Sequence, residues 1–255
     1  MLKILSWNVN GIRAVEGKGF LAFLAASGCD VLCLQETKAR PDQLGKQLTA
    51  PQGFFTYWNY PARRGYAGVS VFTRKRSLSV ETDFLDPSFD TEGRALILHY
   101  KNFILINVYF PNGGSGPERL KYKLEFYDRF LVFADSIKKR DIIICGDFNT
   151  AHKAIDLARP GQNEMSSGFL PVERAWLDKF TGHGYHDTFR AFNNEPGQYT
   201  WWDYKTRSRE RNVGWRIDYF FAAGEIMPEI KSAFIMPEIT GSDHCPVGIE
   251  LDVKW

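Results

Sequence analysis

The chain has little cysteine. Its 255 residues include four, Cys29, Cys33, Cys145 and Cys245, in apolar surroundings such as VLCLQ and IIICG. Their spacings match neither a zinc site nor a redox motif. This argues against a disulfide-stapled secreted scaffold and reads as free thiols in a reducing compartment. Long apolar runs are also missing. FLAFLAA (20–26) is the longest, against the roughly 18 residues that a membrane span needs. The N-terminal MLKILSWNVNG turns polar after seven residues, unlike a secretory leader. A cytoplasmic protein with no membrane association is expected. There is no charge excess: 32 basic and 30 acidic residues give a net charge of +2, so a polyanionic partner has to be sought in local clusters. The chain lacks a serine elbow, a P-loop and a dinucleotide fingerprint, and GGSG (113–116) reads as a turn. No linker or low-complexity stretch divides it, so residues 1–255 are expected to form one domain and to act as a monomer.

What is abundant is aromatic and strand-forming residues. Aromatics make up 15% of the chain. LKILSW (2–7), DVLCLQ (30–35), GVSVFT (68–73), RALILHY (94–100), FILINVYF (103–110), DIIICG (141–146), RIDYFFA (216–222) and PVGIEL (246–251) read as strands. Several are apolar without alternation, which predicts strands buried on both faces beneath covering helices. Helices are predicted over 20–28, ending on Gly28, and over 117–140 and 171–184, each opening on proline. KILSWNVN (3–10), IIICGDFN (142–149) and FILINVYFPN (103–112) echo one another as apolar runs ending in polar residues, a hint of two related sheets.

Polar residues recur at the strand ends. Asn8 and Asn10 end the first run, Gln35 and Glu36 the second. Tyr109 and Asn112 follow the fifth, Asp147 and Asn149 follow IIICG, Asp218 interrupts WRIDYFF, and Asp243 and His244 precede the last strand. Any one of these suits a turn. Six such places in one chain call for partners, a metal or water, because an unpaired buried carboxylate costs several kcal/mol. Glu36 and Asp243 are hard oxygen ligands with the Asn8 and Asn10 amides nearby, a set that suits Mg²⁺, with Mn²⁺ as a substitute. Asp218 and His244 form a candidate acid–imidazole pair. Asp147 and Asn149 could activate and orient water. Aimed at one centre, these groups would stabilise a phosphoryl transition state.

Together these residues make the chain resemble the exonuclease III / AP endonuclease family of the endonuclease–exonuclease–phosphatase superfamily. The likeness runs from SWNVNGIRA (6–14) to GSDHCPV (241–247) and includes LQETK (34–38), NVYFPN (107–112), GDFNTAHKAIDL (146–157), SGFLPVER (167–174), YTWW (199–202) and NVGWRIDY (212–219). It implies an α/β four-layer sandwich of two mostly antiparallel sheets flanked by helices. It further implies Glu36 as metal ligand with Asp243 and Asn10 close to the ion, and Asp147 as the base with Asn149 orienting its water. His244, held by Asp218, would contact a phosphate oxygen, with Tyr109, Asn8 and Asn112 completing the phosphate site. Departures from the family pattern fall at Asn10, where animal members carry Asp, at Ser115 and Trp201, and in the loop 160–168, which keeps Asn163 in register.

Local charge then becomes readable. Residues 61–80 hold five basic side chains and no acid, and 204–216 hold five against Glu210, both mixed with aromatics. By the resemblance, Arg63, Arg64 and Tyr66 contact DNA, as do Asn163 and Lys205. Trp201, Trp215 and Ile217 wall a pocket for a flipped-out abasic sugar. The expected protein is a Mg²⁺-dependent nuclease of base excision repair. It would cut double-stranded DNA 5′ to abasic sites and process blocked 3′ ends as a 3′–5′ exonuclease and 3′-phosphatase. The alternatives are another phosphodiesterase of the superfamily and an inactive nucleic-acid-binding regulator, which would have lost parts of the GDFN or SDH sets.

Overall fold

In the computed structural model, which describes residues 1–82, 89, 91–138 and 141–255, twelve strands form two six-stranded sheets. The first holds β1 (Leu2–Asn8), β2 (Val31–Gln35), β3 (Phe55–Asn59), β4 (Val69–Thr73), β11 (Ile230–Ile235) and β12 (Val247–Leu251), in the order β11-β12-β1-β2-β4-β3. The second holds β5 (Ser79–Glu81), β6 (Ala95–His99), β7 (Ile104–Tyr109), β8 (Ile142–Asp147), β9 (His186–Asp187) and β10 (Asp218–Ala223), in the order β5-β6-β7-β8-β10-β9. In each sheet the two central strands are parallel, β1 with β2 and β7 with β8, and the other pairings are antiparallel. The expected mostly antiparallel arrangement is borne out.

The sheets repeat one topology. Strands β5 to β10 take the positions that β11, β12 and β1 to β4 take in the other sheet. By chain order β1 therefore corresponds to β7, and β2 to β8. The echo between KILSWNVN and FILINVYFPN falls on matching strands, and IIICGDFN matches VLCLQETK.

Alternation along each strand builds the layers. Leu2, Ile4, Val31, Cys33, Leu105, Ile143 and Cys145 meet between the sheets in one apolar cluster. Leu5, Trp7, Leu32 and Leu34 face outward onto α1 (Ile12–Glu16) and α2 (Phe20–Ala26), packing with Ile12, Phe20 and Leu24. Ile104, Ile106, Ile142 and Ile144 face α4 (Pro117–Ser136) and α6 (Pro171–Gly182) through Phe126, Phe130, Trp176 and Phe180. Both faces of the central strands are thus dry, which explains their unbroken apolar runs. The remaining helices, α3 (Lys46–Thr49), α5 (Pro160–Asn163) and α7 (Thr188–Phe192), are short.

Helix α2 stops before Gly28, whose φ of +64° takes the left-handed position expected of it. Helix α4 ends at Ser136, short of the predicted 140; Lys139 and Arg140 lie outside the described residues. Gln35 does not belong to the site. It is buried between the sheets, where its amide donates to Ser6 Oγ (2.9 Å) and Asn107 Oδ1 (2.7 Å). The four cysteines are free and buried. Among the described residues no helix is long and apolar enough to cross a membrane.

Candidate active site

Strand direction gathers the polar residues. Because β1 and β2 are parallel, Asn8 ends its strand beside Gln35, with Glu36 next in the chain. Because β7 and β8 are parallel, Tyr109 ends beside Asp147. β10 runs antiparallel to β8, so its first residue, Asp218, faces Asp147. Asp218 therefore opens a strand and does not interrupt one; residues 215–217 lie outside it, with Trp215 bridged to Leu157 and Trp201. Gly146 permits this junction. Its φ is +143°, and a Cβ there would lie 1.8 Å from the Val108 carbonyl oxygen. Four site residues adopt the left-handed conformation: Asn10 at φ +44°, Glu36 at +56°, Lys38 at +52° and Asn149 at +51°. Such a conformation in a non-glycine residue costs about 1 kcal/mol or more, and is held by the surrounding hydrogen bonds.

The side chains form one connected network. Asn8 Nδ2 donates to Glu36 Oε2 (3.1 Å) and Asp147 Oδ2 (2.8 Å), joining the two sheets. The Asn149 main-chain N–H donates to Asp147 Oδ1 (2.7 Å) and its amide to Asp147 Oδ2 (3.2 Å) and the Phe110 carbonyl (2.9 Å). Asn112 Nδ2 donates to Asn149 Oδ1 (3.0 Å). His244 Nδ1 lies 2.8 Å from Asp218 Oδ2, and His244 Nε2 lies 3.9 Å from Asp147 Oδ2. Thr200 Oγ1 donates to the same Asp218 oxygen (2.6 Å) and accepts from the Ile217 and Asp218 main-chain N–H groups.

Electrostatics follow from burial. Burial, then the charge of Asp218, pushes Asp147 up to about 7. Burial opposes a charged His244 ring, yet the carboxylate of Asp218 outweighs it and raises His244 to about 10. At neutral pH the ring is an imidazolium between two acids. Burial and the charge of Glu36 keep the Tyr109 phenol protonated, well above its ordinary range. For Asp243 burial works against ionisation, but His244 and the donors Asn10 and Trp201 hold its carboxyl below the usual carboxylate range.

Two acidic groups could take a cation. Asp147, Asp218 and His244 offer ligand atoms within 4.8 Å of one another and are all buried. In that cluster the His244 ring is already engaged by Asp218 through Nδ1 (2.8 Å), with Nε2 3.9 Å from Asp147. Glu36 and Asp243 form the second acidic group at the cavity. Glu36 Oε1 sits 2.9 Å from Lys38 Nζ, which also donates to Asn10 Oδ1. Asp243 Oδ1 accepts from Asn10 Nδ2 (2.9 Å) and Oδ2 from Trp201 Nε1 (3.1 Å). Glu36 and the Asn10 amide oxygen already hold a positive charge at Lys38, and an all-oxygen set of two carboxylates and an amide fits a hard divalent ion.

All of this opens onto a cavity of about 480 Å³, lined by the polar residues Asn10, Glu36, Lys38, Tyr109, Asn112, Asp147, Asn149, Asp243 and His244 together with Ser166, Ser167, Gly168, Trp201, Trp215 and Ile217. Trp201 and Trp215 meet edge to face at 6.3 Å. The sequence had singled out ten catalytic or metal candidates. Asn8 is buried behind this cavity, Asp218 lies behind His244, and the other eight line it.

The proposed DNA contacts are more scattered. Trp201, Trp215 and Ile217 are in the wall. Asn163 is half-buried in a second depression of about 410 Å³ that shares both indoles. Lys205 is exposed and lines neither space. Arg63 and Arg64 are exposed, with the Arg63 guanidinium 5.1 Å from the centre of the Tyr66 ring. The Tyr66 hydroxyl accepts from Arg94 (3.1 Å) and Arg119 (2.6 Å), and Arg94 in turn lies 4.7 Å over the Tyr109 ring. The loop 160–168, singled out in the sequence, reaches the cavity at Ser166, Ser167 and Gly168, whereas Lys38, Arg94 and Thr200 were not foreseen. Lys38 stood inside LQETK and Thr200 inside YTWW, but neither residue type is costly at a surface, so neither drew notice.

A sandwich of two repeated sheets that gathers acids, amides and a histidine at its strand ends suits a hydrolase of the phosphodiesterase class. The chain belongs to the Endonuclease/Exonuclease/phosphatase family, whose pattern matches residues 5–244. It is 38% identical to the exodeoxyribonuclease of Bacillus subtilis (strain 168), over 99% of this chain and 100% of that one. It is also 38% identical to a DNA-(apurinic or apyrimidinic site) endonuclease of Dictyostelium discoideum, over 99% of this chain and 71% of that one. Among solved structures it is similar to a 3′ phosphatase from Neisseria bound to a product DNA hairpin, with a TM-score of 0.91 and 27% identity, over 99% of this chain and 100% of that one.

Proposed function

We propose that this chain is a Mg²⁺-dependent DNA repair nuclease, working as a single-domain monomer in the cytoplasm. It cleaves the phosphodiester 5′ to abasic sites in double-stranded DNA and trims or dephosphorylates 3′ ends. The observation that carries this reading is one cavity whose lining has two chemically different halves: Asp147, Asn149, His244, Glu36 and Asp243, and beside them Trp201, Trp215 and Ile217. The first half suits a phosphodiester. The second suits a sugar without its base, because Trp201, Trp215 and Ile217 give it apolar walls. The relatives named as an exodeoxyribonuclease and an abasic-site endonuclease support the same reading. The completeness of the GDFN and SDH sets speaks against an inactive regulator.

Glu36 and Asp243, with Asn10, are the residues that would hold Mg²⁺, or Mn²⁺ in its place. The bound ion supplies positive charge against the phosphate oxygens. Asp147 takes the proton of the attacking water. With a value of about 7 it is half ionised at neutral pH, where a general base works best. Asn149 and Asn8 fix its two oxygens, so the carboxylate meets water in one orientation. His244 as imidazolium donates from Nε2 to a phosphate oxygen, and Asp218 prevents the ring from turning. Tyr109, kept protonated by burial, can hand its proton to the leaving oxygen. Arg63, Arg64, Tyr66, Asn163 and Lys205 contact the DNA backbone around this centre.

The test is a single series of labelled duplexes bearing an abasic analogue, a 3′-phosphate or a recessed 3′ end, incubated with and without Mg²⁺. Incision 5′ to the analogue that leaves a 3′-hydroxyl, abolished by a chelator, is expected. Metal-independent cleavage, or none on any duplex, would refute the reading.

A further inference from the structure

The Lys123–Glu173 ion pair, at 2.6 Å, has both side chains fully buried, and neither residue lines the cavity. Every polar atom of the pair is used. Lys123 Nζ donates to Glu173 Oε1, to the Asn149 carbonyl (2.8 Å) and to Thr150 Oγ1 (2.8 Å). Glu173 Oε1 also accepts from Ser167 Oγ (3.0 Å), and Oε2 accepts from the main-chain N–H groups of Gly168 (2.6 Å) and Leu170 (3.0 Å). Lys123 comes from α4 and Glu173 from the first turn of α6. Between them they hold two stretches of chain that touch each other, since the Gly168 carbonyl accepts from Ala151 N–H, and that both reach the cavity, through Asn149 and through Ser167 and Gly168.

One stretch carries Asn149, which fixes the Asp147 carboxylate. The other carries Ser167 and Gly168. Gly168 is packed so closely on Trp215 that a Cβ would lie 3.1 Å from the ring, and its carbonyl accepts from Ala151 N–H (2.8 Å). A buried ion pair is weak evidence for stability, because apolar residues of similar volume often hold a core as well. What apolar residues cannot do is fix hydrogen-bond distances on both sides at once. We propose that Lys123 and Glu173 are a positioning pair for the reaction: they set Asn149 and the Gly168–Trp215 wall at a fixed separation, and so control turnover without touching substrate. This also gives SGFLPVER a purpose, since Glu173 is its only acid. The inference rests on the nuclease reading for its kinetic half and on packing alone for its other half.

The experiment uses the full chain carrying K123M/E173L, with 5-fluorotryptophan incorporated and the Trp215 and Trp58 resonances assigned by single substitution. The variant should unfold within a few degrees of wild type. On the abasic-analogue duplex its kcat should fall about 10- to 100-fold, the size of a small misplacement of catalytic groups, while KM changes by less than about threefold. The Trp215 resonance should shift or broaden, and that of Trp58, on β3 of the other sheet, should stay in place. If K123M/E173L does not fold, Glu173→Gln carries the same test. Its amide oxygen can still accept from Gly168 and Leu170, but the charge that holds Lys123 is gone, so kcat should fall and Trp215 should move. A folded variant with wild-type kcat and an unmoved Trp215 resonance overturns the proposal. If wild-type protein cleaves no duplex, the nuclease reading fails, and a shifted Trp215 resonance still supports the pair's role in placing the wall.

Discussion

His244 and Asp218 share a hydrogen bond of 2.8 Å in which the imidazole proton has nowhere else to go, since both residues are buried and Nε2 points toward Asp147. The ring is pushed up to about 10 and Asp147 to about 7. In the proposed mechanism the active form has Asp147 ionised and His244 protonated. Activity should therefore rise about tenfold per pH unit below about 7, level off, and fall again above about 10. Asp218→Asn removes the charge that raises His244, so the falling limb should move toward neutral pH and kcat should drop about 10²- to 10⁴-fold. A kcat–pH profile of wild type and variant measures both; an unmoved alkaline limb would detach Asp218 from His244.

Asp147→Asn should abolish turnover, with kcat falling about 10²- to 10⁴-fold or more, while DNA is still bound. It should not lose stability at pH 8. A carboxyl whose folded value is raised favours the folded state less as pH climbs from its ordinary value toward about 7, and that loss is complete above it. Removing the carboxyl removes the loss, although a single amide oxygen cannot serve all of Asn8 and Asn149's donors. Gel-shift binding, single-turnover cleavage and thermal unfolding at pH 8 check the three parts. Activity within threefold of wild type would take Asp147 out of the mechanism.

How much of this was legible in sequence depends on burial. The eight strands foreseen are the interior strands of the two sheets, and the four that were not, β3, β5, β9 and β11, are the four edges. Edge strands face water on one side, and segments such as FTYWN carry polar residues that blur the apolar signal. The same contrast runs through the site. Glu36, Asp147, Asp218 and His244 were visible because an acid or imidazole at the end of a dry strand is costly without a purpose. Thr200 was not, because hydroxyls are common anywhere. Arg63, Arg64 and Lys205 were found as charge clusters, and composition says nothing of which way a long side chain points. The separation of Lys205 from the cavity needed coordinates.

Glu36→Gln should raise the Mg²⁺ concentration for half-maximal rate by about 10- to 100-fold, the range for weakening a site by one interaction or more. The variant keeps the hydrogen-bonding shape of the side chain but loses a charge, and Asn10, being neutral, cannot replace it. Asp243 would be left as the one carboxylate facing that part of the cavity. Mg²⁺ titrations of rate, together with calorimetric titration of Mn²⁺ into the DNA-free protein, test this separately from chemistry. Unmoved curves would place the ion elsewhere.

Trp215 tests the apolar half of the cavity. It is half-buried, exchanges main-chain hydrogen bonds with Trp201 (both 2.9 Å), and packs against Phe169 and Gly168. If it walls a space for a baseless sugar, Trp215→Ala should cost abasic-site cleavage about 1–3 kcal/mol, or roughly 5- to 150-fold, as for truncating an aromatic that packs on a nucleic acid. Asp147, His244 and Glu36 are held by Asn8 and Asp218 and not by the indole, so removal of a 3′-phosphate should fall less. The variant should also incise ordinary duplex more readily relative to abasic duplex, since a wider pocket excludes a base less well. Loop 160–168 ends on this wall at Ser166, Ser167 and Gly168, and could already narrow it. In that case wild type would favour 3′ ends over abasic sites, and Trp215→Ala would improve abasic cleavage. Equal losses on both substrates, with a lowered unfolding temperature, would mean that Trp215 supports the 212–219 segment and not the pocket. Kinetics on both duplexes for wild type and Trp215→Ala, beside one thermal melt of each, separate the three outcomes.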